Sequence, residues 1–306
     1  MPSLAIARKV NATFRPKYTP VGVFIGGTSG VGGAMVEAFG RYTQGKSDIV
    51  IVGRREAAAE SIFLSLPRPS DQTYRREFIH CDVTRIKNVQ NAAAEILSRY
   101  PKINFLILST GFLTLKGRDE TEEGLDTKLA VHYYSRWKFI KDLIPSLNNA
   151  IKAGEDAKVL SVLGAGKGGE INLDDLGLKK TFSTMNAALQ APTYNDLMME
   201  AFHDSHPDLT FTHAYPGAVR TSIFQKSDSK LVNLANPFVN TIFRPFTISP
   251  EECAEYMWHA VFGNTKGAFR TGSEGENLGK QRYFGSEEAK RKLWEHTVEA
   301  TAINTQ

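Results

Sequence analysis

Short apolar runs recur along this chain, and helix-like stretches separate them. Residues 21–26 read VGVFIG, and a helical pattern over 30–42 follows. Residues 48–53 read DIVIVG, with a helix expected over 55–66. A third run over 74–80 precedes a helix over 85–100, and a fourth over 103–109 (INFLILS) precedes a long helix over 122–147. The fifth and sixth runs are 158–163 (KVLSVL) and 209–215 (LTFTHAY). These runs are continuous in apolar and β-branched residues, not alternating. Such strands are buried on both faces, and helices must cover them, so the sheet is parallel. Right-handed crossovers then give a doubly wound α/β fold. No repeat or low-complexity linker divides the chain, so residues 1–306 are expected to form a single domain.

The turn after the first run carries Gly26, Thr28, Ser29, Gly30, Val31 and Gly32. Its glycines are spaced GxxxGxG between a buried strand and a helix. Glycine suits both a tight turn and the close approach of a pyrophosphate to the backbone. The free N–H groups and dipole at the helix start hold the anion. A glycine pattern alone is weak, but the strand before it and the helix after it supply the context that dinucleotide binding requires. The sheet is therefore read as a Rossmann fold. The second run ends in Gly53, Arg54 and Arg55. An acidic side chain at this position accepts the ribose hydroxyls of NAD, whereas a 2′-phosphate is repelled by an acid and attracted by arginine. Two arginines with no acid at the strand end point to NADP(H). Two solvated arginines are the competing reading, weakened because cations are unfavourable at a helix N-terminus.

Composition narrows the class. Apolar residues make up 42% and charged residues 23%, a globular balance that excludes a disordered chain. Lys plus Arg exceeds Asp plus Glu by 37 − 33 = +4, too small and too spread a surplus for a nucleic-acid partner. Cys81 and Cys253 are distant and lie in no CxxC pair, which argues against a cysteine zinc site or a disulfide framework. No metal site is expected. No run reaches the roughly 18 apolar residues of a membrane span. The expectation is a cytoplasmic protein.

The ordered motifs resemble those of the short-chain dehydrogenase/reductases. The glycine turn is similar to that family's TGxxxGxG, with Ile25 at its threonine. Asp82 and Val83 stand at the acidic dipeptide that holds the adenine, and Ser109, Thr110 and Gly111 at the NNAG turn. Pro216, Gly217, Val219 and Thr221 match the PGxVxT segment that closes over the nicotinamide. Residues 123–126, 132–136 and 174–176 resemble more narrowly a group of fungal short-chain reductase-like proteins, many tied to secondary metabolism. The resemblance implies a nicotinamide-dependent oxidoreductase.

It also implies a catalytic Asn, Ser, Tyr and Lys, and here the chain departs. His132 aligns with the Asn, and Leu163 or Gly164 with the Ser. Counting about 26 residues back from Pro216 puts Asn186 at the Tyr and Gln190 at the Lys, and no other YxxxK exists between Gly164 and Pro216. Amides do not titrate, so Asn186 and Gln190 cannot act as acid or base. Residues i and i+4 share a helix face, so the two should point the same way. An imidazole suits acid–base work, so His132 is a candidate, with a structural histidine as the alternative. Tyr133, Tyr134, Tyr194, His213 and Tyr215 are further candidates for which packing is the default. Lys167, in a glycine-rich loop after the fifth run, suits phosphate or substrate contact, or a plain surface loop.

Residues 222–250 are apolar and hold three prolines, at 237, 245 and 250. In this architecture they are expected to form a lid over a bulky apolar substrate, with core packing or a dimer contact as the alternative. A homo-oligomer stays open. Ser249 and Pro250 read as a helix start running to about residue 262. A last strand over 267–270 and a terminal helix over 286–301 complete the chain, and residues 3–14 suit a short first helix. The functional expectation is an NADP(H)-dependent oxidoreductase acting on a small apolar carbonyl, enone or imine, in fungal secondary-metabolite biosynthesis. The alternative is the same cofactor-binding fold turned to cyclisation, isomerisation or regulation.

Overall fold

The computed structural model describes residues 2–70, 74–221 and 247–302. The strands are β1 (Val21–Ile25), β2 (Asp48–Gly53), β3 (Arg76–His80), β4 (Phe105–Leu108), β5 (Lys158–Val162), β6 (Thr210–Ala214) and β7 (Gly267–Thr271). They form one parallel sheet in the order β3-β2-β1-β4-β5-β6-β7. Every residue of β1, β4, β5 and β6 is buried, as continuous apolar runs require of strands covered on both faces.

The helices are α1 (Leu4–Asn11), α2 (Gly30–Tyr42), α3 (Glu56–Ser65), α4 (Ile86–Arg99), α5 (Thr127–Leu129), α6 (Ser135–Lys152), α7 (Thr184–Ser205), α8 (Pro250–Gly263) and α9 (Glu287–Ala300). One core lies under α2 and α8, where Phe24, Phe39, Phe105 and Trp258 pack ring against ring. The other lies under α4, α6, α7 and α9, around Trp137, Tyr194, Phe202 and Phe211. Ser249 opens α8 with a reciprocal capping box to Glu252 and Pro250 at the first turn, as its sequence requires. Ser3 likewise caps α1. Cys81 and Cys253 are buried free thiols, and burial pushes each up to about 12. Among the described residues, no helix is long and apolar enough to cross a membrane.

The long helix expected over 122–147 is where the pattern differs most. Glu123 and Gly124 lie in a turn instead, Gly124 at φ +74°. Asp126 provides the cap, its carboxylate accepting from the N–H groups of Lys128 and Leu129. The helix then passes through a π-helical stretch, Ala130–Tyr134, before α6 begins. Apolar periodicity registers neither the cap nor the bulge. Of the lid expected over 222–250, residues 222–246 lie outside the described residues. Ile248 pairs with Val219, and its N–H donates to Ala218 O.

A buried arginine joins the strand ends beneath the site. Arg136 is 1% exposed, and its guanidinium donates to the carbonyls of Leu108, Thr110 and Val162 and to Ser161 Oγ. Burial pushes it down to about 9. Replacing it leaves three buried carbonyls without that donor. Arg136→Met should therefore lower stability by about 2–4 kcal/mol, read as an earlier urea midpoint at unchanged m-value.

Candidate active site

Sheet order reverses between β1 and β4, and a crevice opens beyond the carboxyl ends of parallel strands at such a point. The expected residues follow those ends. Gly26 and Gly30 have φ of +91° and +57°, which side chains resist. A Cβ on Gly32 would run into Ser109 Oγ and lie 2.5 Å from Gly26 O, so α2 seats directly on the ends of β1 and β4. A Cβ on Gly30 would lie 3.3 Å from Thr221 Cγ2, which brings the segment after β6 to the glycine turn. Gly217 also needs its glycine, at φ +77°.

The start of α2 carries no side-chain cap. Ser29 makes no cap hydrogen bond, and the first backbone bond runs from Gly33 N to Ser29 O. The amides of Gly30, Val31 and Gly32 therefore have no cap acceptor, which fits an anion. Thr110 Oγ1 is buried and has no hydrogen-bond partner among the described residues, and Thr110 N lies 2.8 Å from a Cβ position on Gly26. Arg54 and Arg55 are exposed at the end of β2. Arg55 Nη2 donates to Thr28 O at 3.3 Å, whereas Arg54 has no ion pair among the described residues. Asp82 Oδ1 accepts from Thr84 N and Thr84 Oγ1, and Val83 is buried beneath it. This donor set and cradle fit a dinucleotide.

The catalytic candidates are held in other ways. His132 sits in the π-helical stretch, half-buried, stacked on Phe112 at 5.4 Å. Its Nε2 accepts from Phe112 N at 3.3 Å. Burial, Arg136 and Lys128 push its imidazole down to about 3, so it is neutral at pH 7. Asn195 Nδ2 donates to His132 O at 2.9 Å, and Asn195 Oδ1 accepts from Ser161 Oγ at 2.7 Å. Asn186 turns its amide back to Thr181 O, while Gln190 is buried with Oε1 accepting from Tyr194 Oη. The shared face expected from their spacing holds two amides with separate internal partners. Tyr133 and Tyr134 are buried with their hydroxyls on Thr297 and His296. His213 is fully buried. Its Nδ1 is 2.6 Å from Asp196 Oδ1, and its Nε2 accepts from Gly164 N. Gly164, one of the two positions expected at the serine, thus has its backbone amide tied to β6.

Residues 26–170 match the family model described as Enoyl-(Acyl carrier protein) reductase. Oxidoreductase AN1596 of Emericella nidulans is 36% identical over 85% of this chain and 77% of its own length. Oxidoreductase andH of Emericella variicolor is 31% identical over 84% and 74%. The chain belongs to the short-chain dehydrogenase/reductase superfamily. It is an oxidoreductase with likeness to fungal members of that group. An alcohol dehydrogenase from the archaeon Thermococcus sibiricus, solved with 5-hydroxy-NADP, shares the fold at a TM-score of 0.59 and 17% identity, over 85% of this chain and 98% of that one.

Sequence reasoning passed over Arg136, Ser161, Asn195 and Asp196. Each is a polar residue inside an apolar strand or helix pattern, and that mismatch was the available signal. A short-chain reductase built this closely around Gly32 has no room for a methyl group. Gly32→Ala should lower stability by about 1–3 kcal/mol and weaken dinucleotide binding, checked by denaturation and by calorimetry.

Proposed function

We propose that the protein is an NADP(H)-dependent reductase of a small apolar carbonyl, enone or imine, working without the usual Ser-Tyr-Lys set. The observation that carries the cofactor reading is Arg54, exposed and without an ion pair among the described residues, beyond a glycine cradle whose helix start is uncapped. Gly26, Gly30 and Gly32 bring backbone amides to the pyrophosphate, with Thr28, Ser29 and Val31 beside them. Arg54, with Arg55 behind it, meets the 2′-phosphate through a charge-assisted bond. Asp82 and Val83 take the adenine end. Ser109 and Gly111 flank the ribose, and Pro216, Gly217, Val219 and Thr221 lie against the nicotinamide end. Bound there, the reduced cofactor supplies a hydride.

The rim supports an apolar substrate. Leu113 and Leu115, at 41% and 67%, are exposed on the loop after β4, and Met185 and Leu189 on the first turns of α7. Thr184 Oγ1 donates to Lys116 O at 3.4 Å, joining the two segments so that Leu115 and Met185 flank one seam. An apolar rim at the mouth of a cleft suits a ligand with little polar surface. The likeness to fungal oxidoreductases supports a step in secondary-metabolite biosynthesis. An already activated enone or iminium needs little proton assistance, which suits a chain whose His132, Asn186 and Gln190 hold internal bonds instead of a relay.

Titrating the protein with NADPH and NADH, then following NADPH consumption against ketones, enones and imines, tests both halves. NADPH should bind more tightly, and tighter NADH binding overturns the NADP assignment. Arg54→Ala should weaken NADPH by about 1.5–3 kcal/mol and leave NADH nearly unchanged. Equal losses for the two cofactors would mean that Arg54 never meets the 2′-phosphate.

A further inference from the structure

The hydroxyls of Tyr133, Tyr134 and Tyr194 are buried and hydrogen-bonded within the protein. Tyr215 differs. It directly follows β6, is half-exposed, and its hydroxyl has no hydrogen bond among the described residues. Its N–H donates to Thr271 O, and its neighbour Pro216 opens the turn that meets the nicotinamide end in the reading above. Lys167 Nζ lies over its ring, 4.8 Å from the centroid.

The loop that brings Lys167 there is built, not loose. Gly164 N donates to His213 Nε2, and Lys167 N closes a turn onto Gly164 O. Gly169 exchanges hydrogen bonds with Thr193, its N–H donating to Oγ1 at 3.2 Å and its carbonyl accepting from Oγ1 at 2.7 Å. Gly166 needs its φ of +72°, and a Cβ on Gly168 would lie 3.1 Å from Thr193 N. Both ends of the loop are therefore fixed to β6 and α7, and the lysine between them is set against Tyr215.

We propose that Tyr215 is the catalytic proton donor of this chain and that Lys167 is its positioning cation. The proposal rests on the reductase reading and deepens it. As the substrate carbon gains a hydride, the C=O π pair moves to oxygen. That oxygen forms a new O–H bond with the Tyr215 proton, the tyrosine O–H bond breaks, and the phenolate left behind keeps the Lys167 ammonium over its ring, 4.8 Å from the centroid. The half-exposed tyrosine regains its proton from solvent. A tyrosine and a lysine from two different loops thus supply the pair that α7 lacks.

The test uses the full chain. NADPH affinity of wild type, Tyr215→Phe and Lys167→Met is measured by calorimetry, and is expected to be unchanged in both variants. Nitration of Tyr215 by tetranitromethane is then followed by mass spectrometry, and saturating NADPH should abolish the labelling. With phenanthrenequinone as the probe substrate, Tyr215→Phe should lower turnover about 10²–10⁴-fold, and Lys167→Met about tenfold. Absence of any NADPH complex overturns the reductase reading and the assignment with it. A complex in which Tyr215 is nitrated as fast as in the free protein, or wild-type turnover in Tyr215→Phe, overturns the assignment alone.

Discussion

The backbone contact between Gly32, Gly26 and Ser109 sets the geometry of everything above it. Helix α2 can seat on β1 and β4 only because no Cβ stands at position 32. That seating fixes where the uncapped amides of Gly30 and Val31 lie relative to the reversal in strand order. It also brings Thr221 from beyond β6 to within contact of Gly30, so strands far apart in sequence close on one crevice. An uncapped helix start, the reversal in strand order and the segment after β6 are therefore brought together by one steric exclusion.

Beneath that crevice, polar side chains serve as struts. Arg136 draws together the carbonyl ends of β4 and β5, Ser161 passes the contact to Asn195, and Asn195 holds the carbonyl of His132 across the π-helical stretch. A buried network of this kind is stable only when each member is satisfied. His132 belongs to it through its backbone and to Phe112 through its ring, and its depressed basicity follows first from burial and then from the cations of Arg136 and Lys128. An imidazole so placed is an acceptor, not an acid, at neutral pH. The same logic holds for Gln190, whose carbonyl oxygen is taken by Tyr194.

The sheet, its parallel sense and the glycine turn were legible because each leaves a local mark: a continuous apolar run, or a glycine where a side chain cannot fit. Strand and helix ends came within a few residues for the same reason. The start of the long helix was misread because Glu122 and Glu123 are good helix formers, while the Asp126 cap and the left-handed Gly124 decide the matter through φ and hydrogen bonds. Sequence spacing gives no sign that Lys167 lies over the ring of Tyr215. Lys167 and Tyr215 are 48 positions apart (215 − 167) and meet only because β5 and β6 pair in register, Val162 beside Ala214. No periodicity in the sequence carries that information.

Position 164 is closely enclosed. Pro192 lies within the unbroken α7, and a Cβ at 164 would lie 3.1 Å from its ring. A serine there would be pressed against the proline, its hydroxyl crowded at the end of β5. Meanwhile the amide of Gly164 is already used by His213, itself steadied by Asp196, whose second oxygen lies 2.9 Å from Arg270 Nε. Strand β5 is thus anchored to β6, α7 and β7 through buried side chains. Glycine at 164, proline at 192 and histidine at 213 form one steric and hydrogen-bonded unit.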